Sequence, residues 1–239
     1  MNYINDDFTY EHPRQYDERL KKPLDQYIYG LWKPILIQSI NKFIKEGMTV
    51  CDLGCGTFEH LQYMQKAGKI YAVDINKKMI EVGLGKIKNF IKKIIILNED
   101  VTSTSIPNGS CDVVWSVGVT EFVEVDKLFF EMKRICKKNG MILIQFPNVF
   151  NPYNLTAKII YKLLKKPIKQ YRSIYEFKKL TKKYNLELKE FVSTGLFSPC
   201  FESFQKYFIW AWKILNFLYS PFQKVFPLGA NVFCIIINK

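Results

Sequence analysis

Ten residues, Thr49-Val50-Cys51-Asp52-Leu53-Gly54-Cys55-Gly56-Thr57-Phe58, carry the densest chemical signal in the chain. A short apolar run ends in a carboxylate and then in two glycines one residue apart, so a buried strand feeds a turn whose backbone amides can approach a ligand closely. A dinucleotide site would want a third glycine at position 59, but Glu59 stands there. A carboxylate at the mouth of the following helix would repel a pyrophosphate, which disfavours nicotinamide and flavin cofactors. The ligand expected is one with less negative charge.

More acids follow at the same kind of place. Asp74 closes the apolar run Tyr71-Ala72-Val73 about 20 residues past the glycines, where a carboxylate can accept bonds from ribose hydroxyls. Asp100 closes the next run, in Leu97-Asn98-Glu99-Asp100-Val101. Singly, each reads equally well as a helix cap or a surface acid. Together, three carboxylates at successive strand ends form one rim. Proton-handling candidates are few, because His12 and His60 are the only histidines. His12 lies in an aromatic segment with Tyr10 and Tyr16, and His60 sits just after the glycine turn.

The elements that must position these residues alternate. Helical spacing runs from Tyr29 to Ile44, with Gly47 as a stop. Strands are predicted at Thr49–Leu53, Ile70–Val73, Ile94–Leu97, Val113–Val117 and Met141–Phe146. Helices are predicted at Leu61–Ala67, closed by Gly68, at Asn76–Lys92 and at Asp126–Lys138, ended by Asn139-Gly140. Such β-α alternation predicts a parallel sheet with helices on both faces and a ligand beyond the carboxyl ends of its strands. Further on, helical periodicity appears at Leu155–Leu164 and Ile174–Tyr184. Final strands are expected at Leu186–Val192 and Asn231–Ile237, separated by an aromatic helix.

These residues resemble the class I S-adenosylmethionine-dependent methyltransferases, closely over roughly 35–150 and loosely in the final strands. The resemblance implies an α/β, Rossmann-like, doubly wound sheet of seven strands, mostly parallel with an antiparallel last strand, plus a helical insertion capping the acceptor. It implies a single domain over 1–239, with an N-terminal lid and helix (1–46), a cofactor core (47–150), an acceptor-side insertion and sixth strand (151–230) and a last strand (231–239). With S-adenosylmethionine as cofactor, Asp52, Gly54, Cys55 and Gly56 would lie beside its methionine portion. Asp74 would bind the ribose and Ile75 would pack on adenine. Asp100 and Val101 would meet the adenine edge, and Ser116 would line the methionine side. His12, Tyr16 and His60 are the catalytic candidates. Two departures stand out. Phe58 takes a place where many members have glycine, so either the loop differs in shape or the ring covers part of the cofactor. Gly118, Glu121 and Phe122 stand where some quinone-pathway members hold a metal, so no metal is expected.

Composition narrows the partners. The 239 residues are 48% hydrophobic with a formal charge of +13, which suits one globular unit with a sizeable core. Only four of the 35 basic residues are arginine, and specific phosphate or base recognition favours arginine. The strand-four motifs of base-methylating enzymes are missing too, so nucleic acid is disfavoured as a partner. The six cysteines are scattered and mostly apolar in setting, reading as reduced thiols, and Met1–Tyr10 lacks the apolar stretch of a signal peptide. A cytoplasmic protein is expected. In the aromatic helix Glu202, Lys206, Lys213 and Asn216 share a narrow polar stripe opposite Phe201, Phe204, Phe208, Trp212, Leu215 and Leu218. So wide an apolar face fits a core helix, a dimer contact, a pocket for a small lipophilic acceptor, or peripheral membrane contact through 201–226. The reading is direct methyl transfer to a small, partly hydrophobic molecule. The alternatives are an RNA methyltransferase using the Lys-rich surface, and a regulatory subunit that binds the cofactor and transfers nothing.

Overall fold

The computed structural model describes residues 17–18, 21, 23–87, 93–163, 165, 170–196 and 205–239. Helix α1 (Pro23–Phe43) leads into strand β1 (Thr49–Leu53), followed by β2 (Lys69–Val73), α2 (Lys77–Leu84), β3 (Ile94–Leu97) and β4 (Cys111–Ser116). After them come α3 (Val125–Ile135), β5 (Cys136–Pro147), α4 (Pro152–Leu163), α5 (Ile174–Lys183), β6 (Leu186–Thr194), α6 (Gln205–Tyr219) and β7 (Asn231–Asn238).

The seven strands form one sheet in the order β3-β2-β1-β4-β5-β7-β6. The pairs from β3 to β5 are parallel, and β7 runs antiparallel to both β5 and β6. The Rossmann-like expectation holds. Because β1 to β5 are parallel, their carboxyl ends share one edge, and the turns that follow them meet there.

Alternation along each strand splits the core between two faces. Leu53, Val114, Ile144 and Cys234 pack with α3 and α5, chiefly against Phe129 and Phe177. Val50, Val113, Trp115 and Phe233 pack on the other face with Leu36 and Ile40 of α1 and with Phe58. Both helix layers therefore close over apolar strand residues, as a parallel sheet requires.

Several predicted boundaries move. The segment Leu61–Ala67 is no α-helix: a short 3-10 helix covers Leu61–Tyr63, and turns complete the rest. Its buried residues Leu61, Met64 and Ala67 recur every three positions, and Met64 and Ala67 each donate to the carbonyl three residues back. That is the period of a 3-10 turn, not of an α-helix. Gly68 is needed for another reason than helix termination, since a Cβ there would meet Gly47 O at 2.8 Å. The helix predicted over Asn76–Lys92 spans Lys77–Leu84, with Asn76 capping it by accepting from the amides of Lys78 and Met79. The helix predicted to Lys138 stops at Ile135, and β5 begins at once.

Candidate active site

Asp52 is the penultimate residue of β1 and lies on the α1 face, beside Trp115 in the β1–β4 register. It is 1% exposed, and among the described residues neither carboxylate oxygen has a hydrogen-bond partner. Burial first, and then the charge of Asp74, raise its pKa from 3.8 to about 7. Such a group is an unmet demand for positive charge.

The turn after β1 is fastened to its neighbour. The amides of Gly54 and Cys55 both donate to Val73 O, at 2.8 and 3.0 Å. Gly54 has φ +84°, and a Cβ there would lie 2.2 Å from Val119 Cγ2, so both backbone conformation and space require glycine. The amide of Gly56 donates to Asp74 Oδ2 at 2.8 Å, and that of Asn76 to Asp74 Oδ1 at 2.8 Å. Burial raises the pKa of Asp74, and these two amides pull it back. Asn98 Nδ2 then donates to the carbonyls of Asp74 and Ile75 at 2.9 and 2.8 Å, tying the turn after β3 to the turn after β2. Turns from β1, β2 and β3 are thus one hydrogen-bonded rim.

The predicted site residues fall into three groups. Asp52, Gly54, Cys55, Gly56 and Asp74 come together in this rim, with Ile75 standing out of it at 50% exposure. Asp100 is exposed and spends Oδ1 on the amide and hydroxyl of Thr102, while Val101 is buried in the core. Ser116 is fully buried and donates its hydroxyl to Leu53 O at 3.1 Å, bracing β4 against β1 directly beneath the turn. Cys55 is buried, and burial with the nearby Asp52 charge pushes its thiol well up, so it is an inert thiol.

His60 lies half-buried with its ring 6.2 Å from Trp32 and 6.1 Å from Trp115, which places it on the face that carries Asp52. Burial and the Lys33 ammonium lower its pKa to about 4, so the imidazole is neutral at pH 7. His12 and Tyr16 lie outside the described residues. Phe58 does not cover the rim: its ring is buried against Gly83 of α2 in the α1-side core, at a left-handed φ of +63°. The loop keeps the backbone shape for which glycine is common there, with an aromatic side chain turned inward.

Sequence reasoning missed two supports. Asp17 accepts from Thr57 Oγ1 at 2.7 Å and pairs with Lys86 Nζ at 2.7 Å, which holds Asp17 beside the glycine turn. Gln145 of β5 accepts from Gly118 N at 2.8 Å and donates to Asn231 Oδ1 of β7 at 2.8 Å, fixing the turn after β4 from the adjacent strand and linking it to β7. Both depend on side chains brought together by the fold. A polar residue such as Gln145 inside an apolar strand was the one available hint. Among the described residues no group of three His, Cys, Asp or Glu side chains could hold a metal ion.

Comparison with known proteins fits this geometry. Residues 51–144 match the family model described as a methyltransferase domain. The ubiquinone/menaquinone biosynthesis C-methyltransferase UbiE of Burkholderia vietnamiensis is 26% identical over 133 residues, 52% of this chain and 53% of that protein. The Escherichia coli protein of the same name is 27% identical over 124 residues, 49% of each. The chain therefore spans about half the length of the curated relatives it matches. Among solved structures, a methyltransferase of Thermotoga maritima aligns with TM-score 0.68 and 16% identity over 95% of both chains. The geranyl diphosphate C-methyltransferase of Streptomyces coelicolor, crystallised with geranyl diphosphate and S-adenosyl-L-homocysteine, aligns with TM-score 0.61 and 14% identity over 87% of this chain and 79% of that one.

Proposed function

We propose that this chain is a class I S-adenosylmethionine-dependent methyltransferase, a reading supported by the match of residues 51–144 to a methyltransferase domain, and that it transfers a methyl group directly to a small, partly hydrophobic acceptor. The single observation that carries the reading is the orphaned Asp52 beside the amide-bonded Asp74. Two carboxylates that repel one another across neighbouring strand ends suit a ligand that is cationic on one side and offers hydroxyls on the other. S-adenosylmethionine meets that description.

On this reading Gly54, Cys55 and Gly56 lie along the methionine portion, with Asp52 countering its positive charge. Asp74 keeps lone pairs beyond those used by Gly56 and Asn76 and accepts from the ribose hydroxyls. Ile75 offers an exposed apolar surface to adenine, with Asp100 and Val101 at its edge. Ser116 acts by holding β4 to β1 under the methionine side. The bound cofactor supplies a methyl group on a positively charged sulfur, an activated leaving group. The protein's work is then to align the acceptor and exclude water, and a general base is needed only for an acceptor that loses a proton.

His60, neutral and flanked by two indoles, holds a proton weakly and serves better as a hydrogen-bond partner than as a strong base. His12 and Tyr16, outside the described residues, remain candidates for a base. A partly apolar acceptor agrees with the similar proteins, a ubiquinone/menaquinone biosynthesis enzyme by sequence and a geranyl diphosphate C-methyltransferase by fold.

Isothermal titration calorimetry with S-adenosylmethionine and with its demethylated product tests the reading, followed by assay of product formation with quinol and prenyl acceptors. Binding of both compounds, with turnover on at least one apolar acceptor, is expected. A well-folded protein that gives no heat with either compound overturns it.

A further inference from the structure

Helix α6 reverses the usual amphipathic rule. Its buried side chains include Asn216, whose Nδ2 donates to Tyr27 Oη of α1 at 2.7 Å, and Tyr219, whose hydroxyl bonds Phe226 O. The polar residue expected on a solvated stripe faces the protein. Outward stand Ile214, Phe217 and Leu218, with Phe217 75% exposed, and the surface continues through Phe222, Val225 and Phe226 in the turn that Tyr219 ties back. A soluble monomer gains nothing by turning its apolar side chains to water in one contiguous stretch.

A second stripe lies close by. Leu155, Ile159 and Leu163 of α4, spaced four apart, are all more than half exposed. Asn151 at the head of α4 donates to Leu228 O at 2.7 Å, linking that helix to the end of the α6 turn. Lys158 and Lys162 of α4, Lys213 of α6 and Lys224 of the following turn are exposed, with Lys224 3.5 Å from Glu190 Oε2. Between 203 and 228 the chain has no acidic residue, and between 151 and 183 it has only Glu176 against Arg172 and nine lysines.

We infer that the outer face of α6 and its following turn, with the exposed stripe of α4, docks on the surface of an anionic lipid bilayer. Apolar side chains enter the acyl boundary while the lysines meet lipid headgroups, the pattern of a helix lying in the interface plane. Charge decides between a bilayer and a second copy of the chain. A copy would bring the same lysines face to face, whereas an anionic surface neutralises them. Among the described residues no helix is long and apolar enough to cross a membrane, so contact is to one leaflet. The docking rests on α6 and α4. Its consequence, delivery of a bilayer-dissolved acceptor, rests on the methyl-transfer reading.

Flotation of the full chain with phosphatidylcholine vesicles, with and without phosphatidylserine, tests the inference. Binding to the phosphatidylserine vesicles is expected, weakening as salt is raised. Phe217→Glu and Val225→Glu should each lower it roughly tenfold or more. Cofactor calorimetry and thermal unfolding of the same variants should be unchanged, which separates loss of docking from loss of fold. No binding to phosphatidylserine vesicles overturns the inference. Reversible self-association that Phe217→Glu abolishes, without vesicle binding, assigns the face to a second copy and overturns it equally. Failure of the methyltransferase reading shows separately, as absence of heat with S-adenosylmethionine.

Discussion

Asp52 pays for its position in the free protein, and its behaviour with pH follows from that. The folded state holds the Asp52 proton more tightly than the unfolded chain does, since the pKa rises from 3.8 to about 7. Stability from this group is therefore greatest at low pH, declines as pH rises through that interval, and is level above it. His60, lowered from 6.5 to about 4, slopes the other way over an interval that ends near its unfolded value. Measurements above a pH of about 6.5 thus separate Asp52 from His60, and roughly 1 kcal/mol of the Asp52 effect remains there. Asp52→Asn should stabilise the ligand-free protein at a pH of about 8 by about 2 kcal/mol, less than the roughly 4 kcal/mol the raised pKa implies, because the amide is itself left without partners. The same substitution should weaken S-adenosylmethionine binding by tenfold or more. Wild-type affinity should fall as pH is lowered through 7, since a cation prefers the ionised carboxylate, and the variant should show a flat profile. Denaturant melts and calorimetry at two pH values check both signs. A variant that loses stability and keeps its affinity would show Asp52 to be a packing residue.

At the scale of the element, the contact between the glycine turn and α2 is a size-matched exchange. Phe58 fills the space that a side chain at Gly83 would take, and a Cβ at Gly83 would lie 2.6 Å from the ring. Gly83→Ala should cost about 1–3 kcal/mol by overpacking. Phe58→Gly relieves the left-handed backbone but empties a buried aromatic site, for a net loss of about 2–4 kcal/mol. In that second background Gly83→Ala should become neutral or stabilising, because alanine is the better helix former and the clash has gone. A double-mutant cycle on unfolding free energy reads the coupling directly. This pair also marks where reading the chain from its residues stops short. Strands β1 to β5 are legible because each is an apolar run broken by Asp, Asn or Gly, and the rim acids are legible because they end those runs. Phe58 is not, since nothing local says that an aromatic residue will take a glycine conformation and turn inward. The segment Leu61–Ala67 misleads for a related reason. Its three buried residues recur at an interval short of the α-helical period, and the small difference is decided by packing beneath α1 rather than by propensity. Gln145, Asn231 and Asp17 join parts of the chain far apart in sequence, and only the assembled register brings them together.

For the molecule as a whole, the sheet and α6 stand at opposite ends of a stability range. Strands β1, β4, β5 and β7 are flanked on both faces, and their apolar side chains are nearly all sealed from water. Helix α6 is held by an inward stripe that includes a polar residue, while its larger apolar surface contributes nothing in water. Amide exchange in the central strands should therefore require global unfolding, whereas α6 should exchange through local opening at a much smaller free energy. Phosphatidylserine vesicles would bury the outer face and remove that difference, because a ligand that binds only the closed helix stabilises it in proportion to its occupancy. At saturating vesicles the α6 amides should slow by roughly tenfold or more while those of β1 and β4 stay unchanged. S-adenosylmethionine should produce the complementary pattern, slowing the turns after β1, β2 and β3 and leaving α6 alone. Hydrogen exchange read by mass spectrometry on the same sample, with each partner added singly and then both together, separates the two. Slowing of α6 by the cofactor alone would mean that the helix closes the active site rather than docking the protein on a bilayer.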